Sequence, residues 1–189
     1  MPSFPTLPAR LVSILGHPLL VLPLALLLPM ATIDAAGTAR AAAGIAVCAA
    51  LVLGWSWWRV RRGHWRHVDA SNVHERRSLN VFLLPLFVLG AVLALPQPGL
   101  SLRLALAAAI IAVALLATRW CKLSLHAAFA VYAALLLGAW QPAAGVAMLL
   151  FAIAITASRL ALARHGMRDV VAGSVVGGLA GLLAGWSTA

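Results

Sequence analysis

Seven apolar runs, divided by short polar or turn-forming gaps, set the pattern of the chain: residues 11–30, 39–57, 79–95, 102–118, 125–140, 143–157 and 170–186. About 20 apolar residues cross a bilayer as a helix, and the shorter runs need tilt, thinning or extension into their flanks. The pattern predicts an all-α polytopic transmembrane bundle of six to seven spans, forming one integral-membrane domain over residues 1–189. The first run reads as a span rather than a cleaved leader, because its apolar stretch is long and no small-residue cleavage site follows it. Pro18, Pro23 and Pro29 predict kinks within it. Pro96-Gln97-Pro98-Gly99 and Gln141-Pro142 are tight turn signals, so the runs beside them form antiparallel hairpins. Gly173, Gly177, Gly181 and Gly185 recur every fourth residue in the last run. They fall on one helix face and predict close helix contact, with this helix in the middle of the bundle.

Composition supports the same class. Of 189 residues, 63% are hydrophobic and only 10% charged, which excludes an ordinary soluble core and disorder alike. The formal charge is +10. It sits in gaps between apolar runs, so phosphate-bearing membrane lipids are the expected partners, and nucleic acid is not. Cys48 and Cys121 lack metal or disulfide spacing and read as plain thiols. The cationic residues are Arg except for Lys122, and Ala and Leu abound, which points to a bacterial cell membrane.

Parity across seven spans puts the N-terminus and the gaps 58–78, 119–124 and 158–169 on one face. Of the fourteen Lys and Arg residues, all but Arg40 and Arg103 fall there, as do Asp69, Glu75 and Asp169. Ionisable groups gathered beside a membrane are costly to keep and mark function.

Three clusters on that face carry candidate chemistry. In the first, Ser158 and Arg159 precede His165 and Asp169. Those last two are four apart, so on a helix they stack on one face. A carboxylate beside an imidazole fixes its tautomer and stabilises its cation, which suits a nucleophilic His. Arg159 offers a planar fork for phosphate oxygens. The bland alternative is Arg159 and Arg168 snorkelling to head groups, with a surface His–Asp pair. In the second, Ser124 can cap the following helix, whose start offers N–H groups to an anion, with His126 in its first turn and Lys122 just before it. The alternative is a capping Ser with an interfacial His. The third is Asp69 with Arg76 and Arg77, in a gap rich in His64, His67, His74 and Glu75. No metal-ligand spacing appears there, so no metal is expected, and the alternative is a solvated positive-inside loop.

In this order the clusters resemble the type 2 phosphatidic acid phosphatase superfamily, which also includes the vanadium haloperoxidases. Its pattern is K-x6-RP, then PSGH, then SR-x5-H-x3-D. The third motif is complete as Ser158, Arg159, His165 and Asp169. In the second, Ser124 and His126 match, while Leu123 and Leu125 stand in place of Pro and Gly. In the first, Arg76 matches, Asp69 stands where Lys is expected, and Arg77 replaces Pro. The resemblance runs from about 69 to 169, within a core of about 58–189. It implies an active site at one membrane face where His165 attacks phosphorus and Asp169 holds its other ring nitrogen. His126 would protonate the leaving group and then activate water. Arg76, Arg159 and Ser124 would hold the non-bridging oxygens, without a cofactor. Asp69 and Arg77 are candidate supports, and Lys122 a candidate substitute for the missing Lys.

The leading expectation is therefore a metal-independent lipid phosphatase acting through a phosphohistidine. Its substrate would be phosphatidic acid, phosphatidylglycerophosphate, or an isoprenoid phosphate or diphosphate. A transporter or channel for an anionic solute is the non-enzymatic alternative, but the charges cluster at span ends rather than mid-membrane. A haloperoxidase is a third, disfavoured by the seven spans. Arg59, Arg61, Arg62 and Arg66 have no motif role and bias the charged face towards the cytoplasm.

Overall fold

A computed structural model of the chain describes residues 6–65 and 72–186. The described residues fold as an all-α bundle whose boundaries follow from local chemistry. The first apolar run is broken into α1 (Thr6–Leu15) and α2 (Pro18–Ala31), meeting at 44°. A residue before proline is driven out of the helical region, and His17 is extended at φ −64°, ψ 137°. Pro18 then opens α2 where no N–H is needed. Pro23 and Pro29 lie inside α2 without ending it. Asp34 caps α3 (Ala35–Arg61), its carboxylate accepting from the Gly37 N–H at 2.9 Å. Asn72 and Glu75 form a reciprocal capping box at the start of α4 (Val73–Leu93). The Pro-rich turn leads into α5 (Pro98–Leu116), which passes through a 3-10 turn at Ala117–Arg119. Then come α6 (Leu125–Trp140), α7 (Pro142–Ala161) and α8 (Met167–Trp186).

Five of these helices are long and apolar enough to cross a membrane, and the bent α1–α2 pair makes a sixth. The integral-membrane bundle expected from the apolar runs is the fold observed. α6, an apolar helix of 16 residues, falls short of that length. It is also the central one. α2, α7 and α8 pack around it, and it is buried on all sides from His126 to Leu137. A helix that is apolar all round has no lipid or water face to present. Both tight turns build the hairpins read from sequence, α4 with α5 and α6 with α7.

α8 is displaced from the middle position that its glycines suggested. One face packs on α6, while Val171, Val175, Leu179, Leu182 and Leu183 remain exposed on the other. Gly173, Gly177 and Gly181 act as expected at this seam, whereas a Cβ on Gly185 would meet open space. A Cβ on Gly177 would collide with the Ala128 backbone, and one on Gly181 would lie 2.6 Å from the Leu135 Cβ. A Cβ on Gly173 would come to 2.5 Å from the Ser124 carbonyl oxygen. That last approach sets α8 against the start of α6, where the polar residues gather.

Candidate active site

The start of α6 and the start of α8 are clasped by one carboxylate. Asp169 lies in the first turn of α8. Its Oδ1 accepts from the Lys122 N–H at 2.9 Å and its Oδ2 from the Gly166 N–H at 3.1 Å. Its own carbonyl accepts from the Ser124 N–H at 3.1 Å. An acid suits this place because the first turn leaves N–H groups unpaired and carries the positive end of the helix dipole. The clasp joins the 121–124 strand of chain to the 162–166 turn.

His165 sits in that turn, ahead of α8, not on a shared helical face with Asp169 as the four-residue spacing suggested. α8 begins only at Met167, so capping geometry rather than helical stacking brings the pair together. The His165 Nδ1 is 3.0 Å from the Lys122 carbonyl oxygen and 3.5 Å from the Asp169 Oδ2. A carbonyl can only accept, so Nδ1 carries the proton and Nε2 keeps its lone pair in the neutral ring. Nε2 is buried and has no hydrogen-bond partner among the described residues. Burial, with Arg76 and Arg159 adding to it and Asp169 opposing, holds the imidazole well below its ordinary pKa. The ring is therefore neutral and nucleophilic near pH 7.

Ser124 caps α6, its hydroxyl accepting from the Ala127 N–H at 3.4 Å, and is fully buried. Leu123, standing where the motif has Pro, is buried in the apolar core, and Leu125 packs against it. The two motif departures thus serve packing. His126 follows in the first turn of α6 and is 6% exposed. The charges that reach it are those of Arg159, His17, Arg76 and His165. Arg76 and Arg159 also act on His165. The two imidazoles flanking the α6–α7 hairpin therefore feel the same two guanidinium charges.

Arg159 lies in the last turn of α7 and is 2% exposed. Its Nη1 donates to the Ser13 Oγ of α1 at 2.7 Å. Ser158 beside it turns back, donating to the Ile155 carbonyl at 2.6 Å. Arg76 is half-buried in the first turn of α4, not in a loop. Lys122 places its ammonium 3.4 Å from the exposed Arg164 carbonyl, and burial and the neighbouring Arg76 lower its pKa. Arg77 is exposed and lines an outer groove with Trp55, His74 and Phe82, away from the imidazoles. Asp69 lies outside the described residues.

Ser13 and His17 are the residues that sequence reading passed over. The His17 ring meets that of His126 edge-on, with centroids 5.1 Å apart and planes at 89°. The available signal was Gly16-His17-Pro18, a helix break inside an apolar run. Among the described residues, no three His, Cys, Asp or Glu side chains group to hold a metal ion.

Residues 118–188 match the family model of the PAP2 superfamily. The match covers Lys122, Ser124, His126, Arg159, His165 and Asp169, and begins after Arg76. No curated protein and no solved structure matches the chain.

Proposed function

We propose, from the premise that residues 118–188 belong to the PAP2 superfamily, a phosphatase-type family, that this protein hydrolyses the phosphate ester of a membrane lipid through a phosphohistidine on His165. The observation that carries the reading is the His165 ring, with Nδ1 committed to the Lys122 carbonyl beside Asp169 and Nε2 unpartnered. The lone pair of Nε2 would attack phosphorus as the P–O bond to the alcohol breaks. Asp169 would stabilise the positive charge that grows on the ring. His126 would give its proton to the leaving oxygen, then take one from the water that cleaves the P–N bond. Arg76 and Arg159, with Ser124 and N–H groups at the start of α6, would hold the non-bridging oxygens. Phosphoryl transfer needs alignment and charge stabilisation above all, and these groups supply both.

The site stands at helix ends, where a head group can enter while its chains stay in lipid. Around the neighbouring end of α3, Arg59 lies over Trp55 and Trp65, Arg61 over Trp57, and Arg62 over Trp58. Tryptophan and arginine together are typical of a membrane–water boundary. Phosphatidic acid, phosphatidylglycerophosphate and isoprenoid phosphates or diphosphates all fit such an entry. The cationic excess on this face favours the cytoplasmic side of a bacterial cell membrane. A cysteine at Arg62 should then be labelled only from the cytoplasm, and labelling only from outside would reverse the orientation.

Purified protein in detergent should release inorganic phosphate from such lipids in the presence of EDTA, and vanadate should inhibit it. Because the nucleophile must be neutral and its pKa is lowered, the acid limb of kcat/KM that it governs should lie below the ordinary imidazole value of about 6.5. Activity is lost as pH falls through the lowered value. No release from any of these lipids would refute the reading.

A further inference from the structure

The broken first span reaches the centre of the site, and nothing in the motif set accounts for it. We propose that His17 is a positioning residue for His126, and Ser13 one for Arg159, so that the α1–α2 break is a working part of the phosphoryl-transfer site. The inference rests on the phosphatase reading and extends it to a segment lying outside the matched residues 118–188.

The geometry is built from the sequence upward. Pro18 forces His17 into the extended region, which ends α1 and turns the imidazole away from the helix line. The Leu19 N–H then donates to the His17 Nδ1 at 3.2 Å, so the side chain caps α2 and its ring is fixed in place. In the neutral ring the proton is therefore on Nε2. The ring so held stands edge-on to His126 at 5.1 Å. Gly16 lets this junction press against α7, since a Cβ there would collide with Ile155. Ser13 lies in the last turn of α1 and His17 at the break four residues on, so one segment delivers both.

Each contact answers a need of the reaction. Arg159 is a fully buried guanidinium, and a buried cation is costly unless its donors find acceptors. Ser13 accepts from one of them at 2.7 Å and so fixes the plane of the fork. His126 must aim one nitrogen at the leaving oxygen, and a ring packed at right angles against it restricts its rotation. His17 acts on His126 alongside Arg159, Arg76 and His165, the other charged or titratable groups that reach it.

A simpler role for His17 would be the cap of α2 alone, and substitution separates the two. Asparagine is a good N-cap, so His17→Asn keeps the cap and removes the imidazole. The assays use phosphatidic acid in mixed micelles and p-nitrophenyl phosphate, whose leaving group needs little protonation. His17→Asn should lower kcat on phosphatidic acid about tenfold, a fraction of a full general-acid contribution, and change KM by less than about twofold. The loss on p-nitrophenyl phosphate should be much smaller. Ser13→Ala should raise KM several-fold, and Ser13→Thr, which keeps the hydroxyl, should restore it. Wild-type kinetics in His17→Asn, or equal losses on both substrates, would overturn the positioning role.

A second readout separates this inference from the reading beneath it. The imidazole NMR signals of His126, followed against pH, should differ between wild type and His17→Asn. If neither substrate is hydrolysed by the wild type but these signals differ, the phosphatase reading fails and the ring coupling stands. Identical signals would remove the coupling whatever the activity.

Discussion

His165→Ala should lower kcat for release of phosphate from a lipid phosphate by on the order of 10³-fold or more, as loss of a covalent nucleophile does elsewhere. His165 presents Nε2 from a ring whose opposite nitrogen is already bonded to the Lys122 carbonyl at 3.0 Å. His126 is not expected to take over the attack, because its ring is packed edge-on against His17. The fold should survive, since the clasp between the starts of α6 and α8 is made by Asp169 and the backbone, not by the imidazole. Vanadate or phosphate should still bind, because Arg76 and Arg159 remain. Measured kcat on phosphatidic acid above about a tenth of wild type would remove His165 from the chemistry.

Asp169→Asn should lower kcat by about 10²–10³-fold, and it should also weaken the fold, a pairing of effects that His165→Ala lacks. The carboxylate accepts from two backbone N–H groups, of Lys122 and Gly166, and flanks the His165 Nδ1 at 3.5 Å. A side-chain amide has one accepting oxygen, so its NH₂ must face one of those N–H groups and leave a donor unpaired, costing about 1 kcal/mol or more. The negative charge that would stabilise an imidazolium is lost as well. In the Ser-His-Asp systems the corresponding change lowers kcat by about 10⁴. Here the Lys122 carbonyl still fixes the tautomer, which is why a smaller loss is expected. Thermal unfolding in detergent and kcat on one lipid phosphate, measured together, check both parts. Activity within about threefold of wild type would reduce Asp169 to a helix cap.

What could be read from the sequence divides along physical lines. Apolar runs of 15 to 20 residues announce helices in lipid whatever packs around them, so the bundle and both tight hairpins were legible. That the 119–124 and 158–169 gaps come together was legible because counting spans puts both on one side. The His165–Asp169 pairing was legible as proximity but not as geometry. Spacing of four suggests one helical face, whereas the unpaired N–H groups at the start of α8 draw Asp169 into a cap and leave His165 in the turn before it. The glycine stripe of α8 declared a close seam but not its partner, which is α6. The hint lay in α6 itself, where Ala127, Ala128, Ala130, Ala133 and Ala134 are small enough to be surrounded. Ser13 and His17 were the least legible. Their partners Arg159 and His126 are more than a hundred residues away, and only the packing of α1 on α7 and of α2 on α6 brings them together. Arg76 looks like a loop residue in the sequence because the capping box of Asn72 and Glu75 starts α4 before the apolar run begins.

The central claim is a covalent bond between phosphorus and the His165 Nε2, and trapping it is the most direct test. The protein is mixed with a ³²P-labelled lipid phosphate, quenched within the first turnover and digested for peptide mapping. The account predicts alkali-stable, acid-labile label on the peptide carrying His165, absent from His165→Ala and accumulating in His126→Ala, where hydrolysis of the P–N bond lacks its base. Turnover of the lipid with no label at His165, or with label on another residue, would contradict it.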